Sequence, residues 1–214
     1  MKYKKYRKIF IILIIILIFL LVGIIYKYKK RIDNEKEKQQ IIELFSENNS
    51  NNNEYKQLES ENNSSESNDT EQNTKIEMCG YEVIGTIKIA KIGIEYPILA
   101  IETSTPETTK KPMKVSVVRY WGGDVNSIGN LSIAGHNNYD GTMFGKTKKL
   151  EIGDVIELKD LKRQTVIYKI YKKFVTNPDD VSVLLSDNDN IREVTLITCT
   201  QGNKARLILK AREL

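Results

Sequence analysis

From Ile9 to Tyr26 the chain runs through eighteen residues without a single charge, most of them Ile, Leu, Phe or Val. A helix of this length just crosses the hydrocarbon core of a bilayer, which takes about 20 residues. Tyr3, Tyr6, Tyr26 and Tyr28 flank the run, where amphipathic rings settle at a membrane interface. The competing reading is a cleaved secretory signal, whose apolar region is about 7–15 residues long and ends at small residues. Here the run continues into Tyr26-Lys27-Tyr28-Lys29-Lys30, a poor cleavage site, so an uncleaved anchor is expected. Five cations precede the span and four come closely after it, so the excess of Lys and Arg that normally marks the inner side barely orients it.

The same feature accounts for the charge. The formal net charge is +5, yet residues 1–31 hold nine Lys or Arg and no acid, leaving 24 basic against 28 acidic residues elsewhere, a net of −4. The positive charge flanks the membrane segment, and a nucleic-acid partner finds no support. Two cysteines, Cys79 and Cys199, are too few for a disulfide framework, although one bridge between them is open. No Cys/His cluster has the makeup of a structural zinc site, and no metal is expected.

Residues 29–45 are expected to extend as a charged helix, in which Ile32, Ile41, Ile42, Leu44 and Phe45 are too sparse for a strong apolar face. From Ser46 to Thr74 the composition collapses to Asn, Ser, Glu, Asp and Gln, which cannot bury enough apolar surface to offset chain entropy. The expected layout is a basic segment 1–8, a span 9–26, a charged and then disordered tether 27–75, and a folded domain 76–214. A tether of that length could hold a domain tens of ångströms from the membrane.

The domain itself reads as many short strands. Val83–Ile89, Ile94–Leu99, Val115–Tyr120, Asn130–Ala134, Val155–Leu158, Thr165–Val175, Val194–Thr200 and Ala205–Leu209 are apolar or alternating runs separated by turn residues. Residues 104–111, rich in Thr and Pro, read as a loop. Gly141–Leu150 reads as a short helix or irregular crossover, and Val181–Leu185 as a helical turn. In Thr165–Val175, the residues Val166, Tyr168, Ile170 and Lys172 mark one face. Such a pattern favours an all-β closed barrel or sandwich.

The chemistry concentrates in Thr195-Leu196-Ile197-Thr198-Cys199, with Arg206 beyond a Gly-containing turn. Adjacent antiparallel strands would bring the thiol and the guanidinium close together. A nearby cation favours the thiolate, which is the nucleophile, and the guanidinium's fixed donors can hold an oxyanion or a carbonyl. The competing reading is a buried core cysteine and a surface arginine. A cysteine nucleophile also needs an acid/base partner, most often His. The chain has one, His136, in Ala134-Gly135-His136-Asn137 at the end of another strand-like run.

Thr195–Cys199 with Arg206 shortly after resembles the sortase signature, a TLxTC strand followed by an essential arginine. Ala134-Gly135-His136-Asn137 resembles the GH segment of the same family, and the similarity runs from about Val83 to Arg212. The resemblance implies an eight-stranded sortase-type β-barrel with short helices, placed behind an N-terminal transmembrane helix and a disordered linker. It implies a membrane-anchored cysteine transpeptidase of the Gram-positive cell wall, acting as a thiol protease toward an LPxTG-like sorting signal and forming a thioester on Cys199. His136 would be the general acid and base, and Arg206 the substrate or oxyanion stabiliser. Thr198 is a candidate substrate contact or a packing residue. Asn137 either orients His136 or caps the turn, the turn being favoured, and Asp140 belongs to turn chemistry.

The implied partners are surface proteins bearing a C-terminal sorting signal, an amine acceptor of peptidoglycan or other cell-wall origin, and the membrane itself. The N-terminus would lie inside the cell and the catalytic domain outside. No cofactor is expected. Acidic residues in Asp179–Asp189 raise calcium binding, as some sortases show, but no EF-hand pattern is present and a solvated loop is expected. The compact domain favours class D, with class B second because of Asp140–Gly145. The absence of an apolar tail after Leu209 argues against class C. A peptidase using the same Cys–His pair to release product to water is the alternative activity.

Overall fold

The computed structural model describes residues 2–55, 75–101, 103, 105–186, 188 and 190–214. Helix α1 (Lys2–Tyr55) is followed by strands β1 (Glu77–Met78), β2 (Tyr81–Ile89) and β3 (Ile94–Leu99). Helix α2 (Pro106–Lys110) leads to β4 (Val117–Trp121), β5 (Gly129–Ala134), β6 (Val155–Asp160), β7 (Thr165–Thr176), β8 (Arg192–Thr200) and β9 (Ala205–Glu213).

Eight of these strands close into a barrel in the order β2-β3-β4-β5-β8-β9-β7-β6, and β6 pairs back onto β2. The two-residue β1 only extends the β2 edge. Closure leaves the barrel without an open edge, which is how alternating apolar strands of this kind escape edge-to-edge association. Pairs β3–β4 and β5–β8 are parallel and the other barrel pairs antiparallel. The interior is packed with Ile87, Ile98, Ile133, Phe144, Ile156, Leu158, Tyr168, Ile170, Leu196 and Leu209. In β7 the alternation predicted from sequence holds as far as Ile170. A bulge between Ile170 and Lys172 then shifts the register, and Lys172 is exposed instead of joining the face of Tyr168.

Two segments differ from the sequence reading. Residues 104–111 are not all loop, because α2 forms there. Thr105 accepts from Thr108 N at 3.2 Å, its own N–H donates to Thr108 Oγ1 at 2.9 Å, and Pro106 opens the helix. The second difference is larger. Helix α1 runs unbroken from the apolar stretch into the barrel's flank, and residues 46–55 of the expected tether are helical; residues 56–74 lie outside the described residues. Among the described residues α1 is the one helix long and apolar enough to cross a membrane.

The apolar residues of 29–45 suffice because two of them, Ile41 and Phe45, are one turn apart and share a face. Both are buried in a second cluster with Met78, Val83, Leu99, Val118 and Ala134 on the outside of the barrel. Lys38 lies over the Tyr96 ring at 4.6 Å, Lys159 Nζ donates to Phe45 O at 3.0 Å, and Arg163 donates to Leu44 O. Ile76, where the domain begins, packs on the same cluster as Phe45. Both flanks of the Asn-rich stretch are therefore fixed at one place on the barrel. The docking of α1, rather than the reach of that stretch, sets the barrel's distance from the apolar segment.

Candidate active site

Cys199 and Arg206 are register partners at the ends of β8 and β9, on either side of a turn in which Gln201 and Asn203 take positive φ. The turn is what sequence spacing predicted, and it sets the thiol-bearing and guanidinium-bearing strands side by side. Arg206 Nη1 donates to Asn203 O and Ala205 O, each at 3.2 Å, so the guanidinium is steadied by its own turn. Among the described residues it forms no ion pair.

His136 is brought in by the parallel pairing of β5 with β8. The register Ile133↔Leu196 and Ala134↔Ile197 is extended beyond β5 by Gly135 N donating to Ile197 O at 3.1 Å. Thr198 Oγ1 then donates to Gly135 O at 2.8 Å, and Asn137 Nδ2 donates to Cys199 O at 2.8 Å. The histidine segment thus lies along the cysteine segment residue for residue. Gly135 has no alternative here: a Cβ would come within 2.7 Å of the Phe144 ring and 3.0 Å of Val117 Cγ1. Asn137, expected to serve its own turn, instead ties the histidine segment to the cysteine. Asp140 does the turn's work, accepting from Thr142 N at 3.0 Å and from its hydroxyl.

His136 is half-buried, and burial is the main reason its pKa lies below the ordinary value, with the charge of Lys114 adding to the shift. Both causes favour the neutral imidazole.

Cys199, Thr198 and Arg206 line a groove of about 360 Å³. One wall is α2 and the turn after it, with Thr109, Lys110 and Met113; the other is the β7–β8 connection from Thr176 to Leu184. His136 is not part of that lining. The second wall is held at its end by two successive carbonyls. Leu184 O accepts from Asn130 Nδ2 at 2.8 Å and Leu185 O from Lys210 Nζ at 2.7 Å, while the Thr195 hydroxyl donates to Asn130 Oδ1 at 2.9 Å and so orients that amide. Both donors are buried and come from β5 and β9. At its start the same connection is capped by Asp180, which accepts from Ser182 N at 3.0 Å. Lys210 is neutralised by Glu193 at 2.9 Å, a pair with side chains 4% and 0% exposed. Asn130 and Lys210 carry the groove wall and were not singled out from the sequence. The available signal was an amide and a lone cation inside otherwise apolar strands.

Cys79 is elsewhere, in the β1–β2 turn against α1. Its Sγ lies 3.2 Å from Glu37 Oε2 and 3.4 Å from Asn34 Oδ1. Burial first, then the hydrogen bond and charge of Glu37, push its thiol up to about 11, the opposite of what a nucleophile needs. Both cysteines are free thiols, so the bridge left open by the sequence is not formed. Among the described residues no group of three His, Cys, Asp or Glu is placed to hold a metal; Asp187 and Asp189, part of the acidic loop considered for calcium, lie outside the described residues.

A family model described as a sortase domain matches residues 87–214. The structure is similar to that of a Clostridium perfringens Sortase D5 transpeptidase, with TM-score 0.57 and 28% identity, covering 85% of this chain and 98% of that one. It is similar to a pilus-related Sortase C of Group B Streptococcus, with TM-score 0.52 and 29% identity, covering 62% of this chain and 67% of that one. It shares its fold with Sortase A from Corynebacterium diphtheriae, with TM-score 0.53 and 24% identity, covering 63% of this chain and 61% of that one. No curated protein matches the chain.

Proposed function

The chain belongs to the sortase family and is a cysteine transpeptidase; from that premise we propose that Cys199 is its nucleophile, His136 its acid and base, and Arg206 its oxyanion or carbonyl ligand. The observation that carries this reading is the shared register of the three segments. Cys199 pairs with Arg206 across β8–β9, and Asn137 joins the residue after His136 to the Cys199 carbonyl.

Cys199 Sγ attacks the carbonyl carbon of a peptide bond in an LPxTG-like signal, giving a tetrahedral oxyanion that faces the Arg206 guanidinium. His136, neutral at rest, takes the Cys199 thiol proton as the sulfur attacks; the C–N bond then breaks, the imidazolium so formed gives that proton to the departing amine, and a thioester remains. An incoming cell-wall amine attacks the thioester and loses its proton to His136. A new peptide bond forms and Cys199 is released as thiolate. The thioester retains acyl-transfer potential, so the cycle needs no cofactor. Thr198 contributes to the groove wall the substrate lies against, while its hydroxyl proton holds Gly135 O.

The corresponding layout is a basic inner segment, a span over residues 9–26, and a catalytic domain from 76 onward on the outer face. Coverage of nearly the whole Sortase D5 chain favours class D over class B. The test is an assay with an LPxTG-type peptide, with and without an added amine such as triglycine. The reading expects the amine-ligated product to dominate when amine is present. Hydrolysis that the amine leaves unchanged would favour the peptidase alternative.

A further inference from the structure

Between α1 and the barrel lies a second cleft, of about 950 Å³, separate from the groove that holds Cys199. It is lined by cations from both sides: Lys27, Lys30 and Arg31 from the helix, Lys111 and Lys114 from the barrel. The two lining acids are already engaged, Glu35 with Lys38 and Asp140 with Arg31 at 3.3 Å. Lys27, Lys30, Lys111 and Lys114 form no ion pair among the described residues, and Lys111 and Lys114 are exposed.

The cleft's height is fixed by the helix. Lys27 directly follows the apolar run, and Arg31 lies about 8 Å beyond its end at ~1.5 Å per residue. A headgroup layer is about 5–8 Å deep on each side of the hydrocarbon. The Arg31–Asp140 contact brings the loop after His136 to that same height. Tyr139, at the tip of that loop, is fully exposed at 109% and also lines the cleft. An exposed tyrosine on the rim of a cation-lined cleft at headgroup depth is the makeup of an interfacial anchor.

We propose that this face docks on an anionic bilayer surface, with Lys27, Lys30, Lys111 and Lys114 taking lipid phosphates and Tyr139 seated among the headgroups. The histidine end of the active site is thereby held at the membrane, where a lipid-borne partner can reach it. This rests on the reading of residues 9–26 as a span. A soluble anion is the lesser fit, because Lys27, Lys30, Arg31 and the loop of Tyr139 share the depth of the headgroups and not merely a charge.

The full chain is reconstituted in nanodiscs of phosphatidylcholine alone or with phosphatidylglycerol, and amide hydrogen exchange is measured. Exchange over residues 137–143 should slow on the order of tenfold in the anionic discs, and Lys111→Gln/Lys114→Gln should abolish the difference. Protection of residues 10–26 in both discs reports the span independently. Equal exchange of 137–143 in the two discs, with 10–26 protected, overturns the docking and leaves the span intact. Unprotected 10–26 overturns both. Inorganic phosphate producing the same slowing in neutral discs overturns the lipid assignment in favour of a soluble anion.

Discussion

Asn137 donates its side-chain amide to the backbone carbonyl of Cys199 across 2.8 Å, joining the histidine segment to the nucleophile's own strand. The parallel β5–β8 pairing ends at Ala134, and this bond together with Thr198–Gly135 continues the alignment to the level of His136. Asn137→Ala removes the donor and leaves the carbonyl to water. A side-chain hydrogen bond of this kind contributes about 0.5–1.5 kcal/mol, so kcat/KM toward a sorting peptide should fall by up to about tenfold. Asn137→Asp, which cannot donate when ionised, should fall as far; a pair of variants with unchanged kcat/KM would remove Asn137 from the positioning machinery.

Lys114 and burial act on His136 in the same direction, both disfavouring its charged form. Lys114→Gln removes one of the two causes, so the limb of the kcat/KM–pH profile that reports His136 should move to higher pH. Stability carries the linked sign. Because the folded pKa lies below the ordinary 6.5, the unfolded chain binds the proton more readily. The His136 contribution is present above that value and is lost as pH falls through the folded one. Melting curves between neutral and mildly acid pH should show a smaller acid-side loss in Lys114→Gln than in the parent.

Lys210 has two duties, neutralising buried Glu193 and holding the carbonyl of Leu185, the residue directly after the last one of the groove wall. Lys210→Met leaves the buried carboxylate with Arg212, 3.5 Å away, as its one ion-pair partner among the described residues, and should cost about 3 kcal/mol in chemical denaturation. Lys210→Met/Glu193→Leu should recover much of that stability. It should still show a raised KM with a smaller change in kcat, because the carbonyl that ends the wall's connection has lost its donor. Full recovery of KM in the double variant would make the pair purely structural.

The barrel was legible because its strands alternate in short apolar runs between turns, and the cysteine–arginine pairing because a single turn separates them. What escaped the sequence lies in contacts between distant segments. Ile41 and Phe45 look insufficient until Met78, Val83, Leu99 and Val118 supply the surface they fill. Lys210 is a lone cation in an apolar strand with no visible partner until Glu193 and Leu185 O arrive beside it. Asn137 reads as a turn residue because its acceptor is on a strand more than sixty positions away. Helix α2 is a different case: Thr105-Pro106-Glu107-Thr108 carries a start signal that residue composition obscured.

Phe45, 2% exposed, fixes α1 to the barrel. Phe45→Ala should destabilise the folded chain by about 3 kcal/mol or more, read as a lowered Tm, with the barrel's strands intact by circular dichroism. A chain beginning at Lys75 keeps every groove residue named above and should still acylate. It uncovers Met78, Val83 and Leu99, so it should melt earlier than the full chain and self-associate as its concentration rises.

The central claim is that Cys199, aligned with the His136 segment beyond β5 and paired with Arg206 across β8–β9, is the residue that bonds to substrate. Intact mass spectrometry of the full chain with an LPxTG-type peptide, combined with peptide mapping, tests it most directly. The account predicts an added acyl mass on Cys199 and none in Cys199→Ala. It predicts strongly reduced labelling in His136→Ala, consistent with the roughly 10²–10⁴-fold value of acid–base catalysis. Arg206→Lys, which keeps the charge but loses the planar fork, should be similarly impaired. An acyl group mapped to Cys79, or undiminished turnover by Cys199→Ala, would contradict it.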